Sequence, residues 1–374
     1  MSVNPFSDLK TSDPFNMSVH IKDVDLSIVN SLRRVVLSEI PNVGFLFDPH
    51  DMSEESKDID VLQNDTPLHN EIIQHRISLI PINVNVEELE NWDSKELRFE
   101  INKSNNSGNL LSVYSSDFVV YDSKNNVRNE LAKRFFPPDP ISKQHILITK
   151  IKAMENSRFH IVARAVTNVP KNYASFGLVS NCSVEFVVDE KVAAKQLQMY
   201  LEQNASKDTK ENLEHKFNSI ERERHYVRNA YREPNHFIFK IVSECKIPCE
   251  YIFKQAINIL KSKVIAFQNS DYDVLNINGL FSIVITNETH TLGNLFQSLC
   301  FNHYIRDNLD NDNFSLQYIG YNVPHPLEKV LLIKVRGDKL IDVDTVRDFV
   351  NHATDYIYKM LTKLETHWNN LSNK

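Results

Sequence analysis

Glycine is scarce, with seven residues in a chain of 374. That leaves little for a phosphate-cradling loop, and no Walker-type run occurs. Cysteine is scarcer still: four residues do not make a disulfide framework in a chain this long, which predicts a reducing compartment. No run approaches the roughly 18 apolar residues that a membrane span needs, and mean hydropathy is −0.36. A basic surplus is missing too: 42 Lys and Arg stand against 49 Asp and Glu, for a net charge of −7. A protein that grips nucleic acid by its phosphates usually has the opposite balance, so nucleic acid is not the expected main partner. "MSVNPFSDLKTSDPF" has no basic region followed by an apolar stretch, which predicts no secretory signal. There is no nucleophile elbow, paired-carboxylate signature or "DxDxD" metal cluster.

What is present suits two or three packed domains: 41% of residues are apolar. "FNMSVHIKDVD" (15–25) alternates as a strand. A helix follows over 26–41, with Asp25 placed to cap it and Pro41 to end it. Short strands are expected from 43, then a short amphipathic helix in "PLHNEIIQHRISLIPINV". Strands follow over 97–122, and a loop at "RFFPPDP" (134–140). "HILITKIKA" (145–153) and "RFHIVARAV" (158–166) read as paired strands, and "CSVEFVVDE" (182–190) as another. Residues 190–233 turn charged and helix-prone, which reads as a solvated helical excursion or a partner-binding helix. "HFIFKIVSEC" (236–245) is a strand, and Pro248 opens a helix at its favoured first position.

That helix carries a narrow apolar seam of Phe253, Ile257, Leu260, Val264 and Phe267. After a polar stretch come a strand (279–286), a helix in "THTLGNLFQSLCFNHYI" and two more strands. The final helix repeats the seam with Val346, Val350, Ala353, Ile357, Met360 and Leu364. Each long helix closes a unit ordered strand, helix, strands, long helix. Two such units can cover each other's stripes, or each stripe can pack on its own sheet. "DLSIVNSLRRVVL" and "HTLGNLFQSLCF" align without gaps when Asn30 is set against Asn294. Leu32, Val35 and Val36 then fall on Phe296, Leu299 and Cys300, while Arg33 and Arg34 fall on Gln297 and Ser298. The units read as copies with one framework and different outer surfaces. On a helical wheel, Arg33 lies inside the wide apolar arc of 26–41, with Leu26 and Ile40 beside it, and Arg34 on the polar side. Arg33 is therefore expected at the edge of the packing and Arg34 outward.

"VDLSIVNSLRRVVLSEIP", "PLHNEIIQHRISLIPI", "VYSSDFVVYDS" and "REPNHFIFKIVSE" resemble the third-largest subunit of RNA polymerase II and its archaeal counterpart. "THTLGNLF" and "GYNVPHPLE" resemble the eleventh subunit of the same enzyme. Both families are related to the N-terminal domain of the bacterial polymerase alpha subunit. The resemblance implies an α+β fold with two alpha-like dimerisation units forming an intramolecular pseudo-dimer, the first unit interrupted by an inserted mostly-β domain. The expected boundaries are 1–42 plus 190–268 for the first unit, 43–189 for the insertion, 269–276 for a linker and 277–374 for the second unit. The linker region spans at most about 30 Å, so it is expected to cross the pseudo-dimer interface. The family motif of the second unit would be His290, Thr291, Leu292, Gly293, Asn294, Gly320, Tyr321, Pro324, His325 and Pro326.

As the resemblance implies, the chain would be a non-catalytic assembly platform of a DNA-dependent RNA polymerase. It would seat the largest and second-largest subunits, with small subunits of the tenth and twelfth types as neighbours. It would meet no membrane, and nucleic acid only through the complex. The fused form resembles that of nucleocytoplasmic large DNA viruses, which implies the virion and host cytoplasm if viral and the nucleus otherwise. Asn30, Arg33 and Arg34 would face a large subunit. His75 and Arg76 would either do the same or form a local salt bridge or cap, for example with Glu71. The third-subunit family usually carries a zinc loop of four cysteines, which would fall near 85–101. That stretch has no cysteine and no histidine, so no cofactor is expected. Cys245 and Cys249 read as packing residues. His290, His303 and His325, with Asp307 and Asp310, fit no ligand spacing. The competing readings are a stand-alone enzyme with a site in the inserted domain and a direct nucleic-acid binder.

Overall fold

The computed structural model describes residues 4–48, 58–309, 311–325 and 327–372, so Pro326 and Asp310 lie outside the described residues. The chain divides into two compact units. One comprises Met1–Val36, Asn181–Val242 and Cys249–Lys374, and the other Leu37–Ser180 and Ser243–Pro248.

The chain opens with β1 (Phe6–Asp13) and β2 (Asn16–Lys22), an antiparallel pair. Met17, Val19 and Ile21 of β2 are buried on one face, as period-2 alternation requires. The helix α1 (Leu26–Ser38) follows, started by Asp25, whose carboxylate accepts from Ser27 N at 2.7 Å. Ile28, Val29, Leu32, Val35 and Val36 form its buried face.

The second unit is mostly β, with three short α-helices among its described residues. Its elements are β3 (Asn42–Phe45), β4 (Ile59–Asn64), α2 (Asn70–Ser78), α3 (Val86–Glu90), β5 (Leu97–Asn105), β6 (Leu111–Tyr114), β7 (Val119–Asp122), α4 (Asn129–Phe135), β8 (Leu147–Ile151), β9 (Ser157–Ala163) and β10 (Ala165–Asn168). They form a sheet of order β4-β9-β5-β7 and two ribbons, β6-β8 and β10-β3. Rings fill its core, with Phe45 edge-on to Phe99 at 5.2 Å and Phe118 stacked on Phe136 at 4.8 Å. Two expectations are corrected here. β8 and β9 do not pair: β8 joins β6, and β9 lies between β4 and β5. Asn105 explains part of this, because its Nδ2 donates to Lys152 O at 2.8 Å and ties the end of β8 to β5. The loop expected over 134–140 starts later, because Arg134 and Phe135 close α4. Phe135 is buried, and Lys133 and Arg134 suit the negative end of the helix.

The chain returns through β11 (Val179–Phe186) and an excursion of α5 (Glu190–Asn204) and α6 (Lys210–Lys216), which continues as helical turns to Arg224. Next come β12 (His236–Ser243) and α7 (Cys249–Gln268), which starts directly after Pro248. The first sheet then has the order β1-β2-β12-β11. The excursion is largely exposed, with Ala193, Leu213 and Phe217 as its buried anchors.

The second half of the first unit holds β13 (Asp273–Ile277), β14 (Leu280–Thr286), α8 (His290–Cys300), α9 (Asn311–Phe314), β15 (Leu316–Asn322), β16 (Val330–Gly337) and α10 (Val343–Ser372). Its sheet has the order β13-β14-β16-β15. Residues 273–276, expected as linker, belong to the edge strand β13, which pairs with β14. The connection shrinks to 269–272. Within it Tyr272 is buried, 5.6 Å from the Phe267 ring, with the Arg347 guanidinium over it.

Candidate interaction site: the crossing of two pseudo-equivalent helices

Two helix pairs join the halves. The first is α7 with α10, which run antiparallel. Phe253 near the start of α7 meets Trp368 near the end of α10, with ring centroids 4.3 Å apart. Lys261 donates to Glu365 at 2.6 Å, and Gln268 at the end of α7 donates to Asp355 at 3.0 Å. Phe253, Ile257, Leu260, Val264 and Phe267 are all buried, and so are Val346, Val350, Ala353, Ile357 and Leu364. Met360 is the exception: it is half-buried, and Leu361 is buried in its place. A strict seven-residue repeat drifts by about 20° per heptad on a straight helix, so two heptads past Val346 the buried line has turned by about 40°, away from Met360 and toward Leu361. The sequence reading missed Trp368, which a seam carried one turn past Leu364 would have reached. It also missed the seam-flanking charges Lys261, Lys263, Glu288 and Glu365, of which Lys263 and Glu288 pair at 3.2 Å.

The second pair is α1 with α8. Asp25 accepts from Ser298 Oγ at 3.1 Å and from Asn302 Nδ2 at 2.6 Å. At the opposite end, Arg34 Nε donates to Thr291 Oγ1 at 2.8 Å, and Ser31 Oγ donates to Thr291 O at 3.4 Å. The start of one helix therefore meets the end of the other at both ends of the contact. The Asn30-to-Asn294 alignment sets Arg34 against Ser298, and each of these reaches the first turn of the opposite helix. That is the pattern of a two-fold axis, here approximate and within one chain. Asn30 and Asn294 both line one cavity of about 310 Å³, together with Leu26, Arg33, Val184 and Phe186.

Arg34 is exposed, as the wheel places it, and its guanidinium also reaches across the pseudo-axis to Thr291. A helical wheel gives direction on a lone helix and cannot register a second helix laid across it. Arg33 lies half-buried at the packing edge, with its Nε and Nη2 on Asn30 Oδ1 at 3.2 and 2.9 Å. Burial pushes the nearby Cys182 thiol up to about 12, with Arg33 pulling the other way.

His75 and Arg76 lie in the other compact unit. Arg76 donates to Ile148 O at 2.8 Å and Leu147 O at 2.6 Å, so it braces β8, and no described ion pair joins it to Glu71. The His75 ring faces Phe47 at 6.5 Å. In the second-half motif, Thr291, Leu292 and Gly293 are buried, and His290 opens α8 with its ring 5.7 Å from Tyr321. A Cβ on Gly293 would stand 2.6 Å from the Tyr321 ring and 2.8 Å from Leu331, which explains a glycine inside a helix. His325 accepts from Leu327 N at 3.2 Å, next to Pro324, and Gly320 lies under the Tyr318 side chain. His303 is buried and stacked on Tyr356 at 4.0 Å. Cys245 and Cys249 are buried at a strand end and a helix start. In 85–101, Asn85 and Glu88 form the capping box of α3, and with no sulfur or imidazole the stretch does not fit a four-sulfur zinc site.

Two family models match the two halves of the chain. The RNA polymerase Rpb3/Rpb11 dimerisation domain matches residues 18–264, and a second model of that domain matches 281–367. The chain therefore belongs to the Rpb3/Rpb11 dimerisation domain family and carries two such domains in tandem. It is similar to DNA-directed RNA polymerase subunit Rpo3 of Methanobrevibacter smithii, with 21% identity over 66% of this chain and 91% of the relative. It is also similar to DNA-directed RNA polymerase II subunit RPB3 of Schizosaccharomyces pombe, with 23% identity over 65% of this chain and 80% of the relative. A conjugation stage-specific protein of Tetrahymena thermophila matches at 23% over 47% of this chain and 58% of its own length.

Proposed function

We propose that this chain is a non-catalytic assembly subunit of a multisubunit DNA-directed RNA polymerase, with both partners of the alpha-like dimer fused in one polypeptide. The observation that carries this reading is the crossing of α1 and α8 beside Asn30 and Asn294. It gives one chain a pseudo-two-fold platform built from its two dimerisation domains. In this reading the first half seats the second-largest subunit around Asn30 and Arg33, and the second half seats the largest. Small subunits of the tenth and twelfth types are neighbours. The fused arrangement supports a large DNA virus as the source, with the protein in the virion and host cytoplasm.

Co-expression with the two largest subunits of the same source, followed by affinity capture, tests this. The wild-type chain retains both. Arg33→Glu, whose side chain bonds only within α1 among the described contacts, keeps the fold and loses the second-largest subunit. If Arg33→Glu and the Arg33→Glu, Arg34→Glu double variant fold and still capture that subunit at wild-type level, the interface assignment is wrong. If the wild-type chain captures neither subunit, the assembly reading fails.

A further inference from the structure

The excursion over 190–235 returns to the first sheet through a short hairpin. Val188 bridges Tyr226, and Arg228 bridges Pro234. Its tip is built by one side chain: Asn229 Oδ1 accepts from Tyr231 N at 2.9 Å and Glu233 N at 3.0 Å. Asn229 Nδ2 donates to Glu233 Oε2 at 3.2 Å, and Arg232 takes φ +67° to close the turn. The tip therefore presents Tyr231 and Glu233 in a fixed arrangement. Both meet the second half. Tyr231 Oη donates to Asp307 Oδ1 at 3.0 Å, and Arg306 Nη1 donates to Glu233 Oε2 at 2.9 Å. The Arg306 guanidinium lies 4.0 Å from the centroid of the Tyr231 ring and donates through Nε to Asp307 at 3.3 Å. These contacts join four side chains, two from each half, with Arg306 touching the other three. The Arg306 side chain is only 19% exposed, so water screens this cation less than it screens an ordinary surface arginine.

We propose that the 190–235 excursion is a clasp that the first half closes on the second, with Tyr231 and Glu233 as its jaw and Arg306 and Asp307 as its seat. The seat is the end of the wide helical turn Phe301–Arg306, which follows α8. Asp25 grips the same segment at Asn302. The segment leaving α8 is thus held by the first half at two points, one from the shared framework and one from the excursion. The clasp assigns a role to a stretch whose sequence reads as a solvated helical excursion or a partner-binding helix, and it stands whether or not the chain binds polymerase subunits.

Hydrogen exchange on the full chain tests it, comparing the wild type with Tyr231→Phe, Arg306→Gln and the double variant. Arg306→Gln opens both 229–235 and 301–307, raising their exchange by about fivefold to thirtyfold, the scale of a partly desolvated cation–π and ion-pair contact. Tyr231→Phe keeps the ring against Arg306 and loses only the hydrogen bond to Asp307, so it raises exchange in both segments by about twofold to tenfold. The double variant is little worse than Arg306→Gln alone, because that change already opens the clasp, and α7 and α10 keep wild-type exchange. Faster exchange confined to the mutated side, or effects that multiply in the double variant, would overturn the proposal. Tyr231→Phe removes one hydroxyl from a half-exposed ring, so its result does not depend on a variant that fails to fold.

Discussion

The Asp25 carboxylate accepts from the Ser27 N–H that starts its own helix, and from Ser298 and Asn302 on the other half. Losing a helix cap costs about 1 kcal/mol, and hydrogen bonds to a charged group are worth about 1.5–3 kcal/mol. Asp25→Ala should therefore lose about 2–4 kcal/mol of unfolding free energy in urea, against about 1 kcal/mol for Ser298→Ala. A double-mutant cycle between the two should give a coupling on the order of 0.5–2 kcal/mol, and strict additivity would mean that the contact contributes nothing. His236 sets an acid limit. Its ring lies 2.9 Å from that of His20, and burial, Lys22 and His20 hold it down to about 4. The unfolded chain takes up this proton near the ordinary 6.5. The contribution is therefore complete above pH 6.5 and is lost as pH falls toward 4. His236→Gln should flatten the decline of the urea midpoint between pH 6.5 and 4, and an unchanged slope would assign the decline to other groups.

At the scale of elements, Gly293 in α8 tests packing against propensity. Alanine normally favours a helix interior over glycine by about 1 kcal/mol. Here its Cβ would enter space held by Tyr321 on β15 and Leu331 on β16, and overpacking costs about 1–3 kcal/mol. Gly293→Ala should therefore lower the melting temperature, and a rise would show that the two side chains can move aside. The α10 seam offers a second comparison: Leu361→Ala should cost about 2–5 kcal/mol, and Met360→Ala much less. Both cases mark what a sequence can carry. Helices α1, α2, α7, α8 and α10, most of their buried stripes and the Asn30–Asn294 register were legible because amphipathic periodicity is a local property, while the short α3, α4 and α9 were not. Strand partners were not, as β8 and β9 show, because alternation sets which face is buried and leaves the neighbour open. The reach of Arg34 to Thr291 left no mark in the sequence for a related reason: the partner belongs to another element. The clasp gave only one weak signal, a Tyr and a Glu flanking an Arg in "AYREP", with nothing to point at Arg306.

For the molecule as a whole, the four-residue connection at 269–272 couples the two halves. Four residues reach at most about 14 Å, so the end of α7 and the start of β13 are held close. A short tether of this kind gives an effective concentration on the order of millimolar, and a contact that would be bimolecular between two chains becomes part of one folding event. The two halves also share one compact unit, with Phe253 and Phe6 of the first half both packed on Trp368 of the second, at 4.3 and 5.3 Å. The halves should thus unfold together at a temperature that does not change with protein concentration, unlike a two-chain dimer, whose midpoint rises with concentration. Calorimetry at two concentrations tenfold apart checks the second point. Trp368→Ala checks the first: it removes a buried ring at a cost of about 3–5 kcal/mol. Although the change lies in the second half, it should speed hydrogen exchange equally in β12 and β16, the central strands of the two sheets. If β16 opened while β12 kept its protection, the halves would be separable domains joined by a tether, and the single-core description would fail.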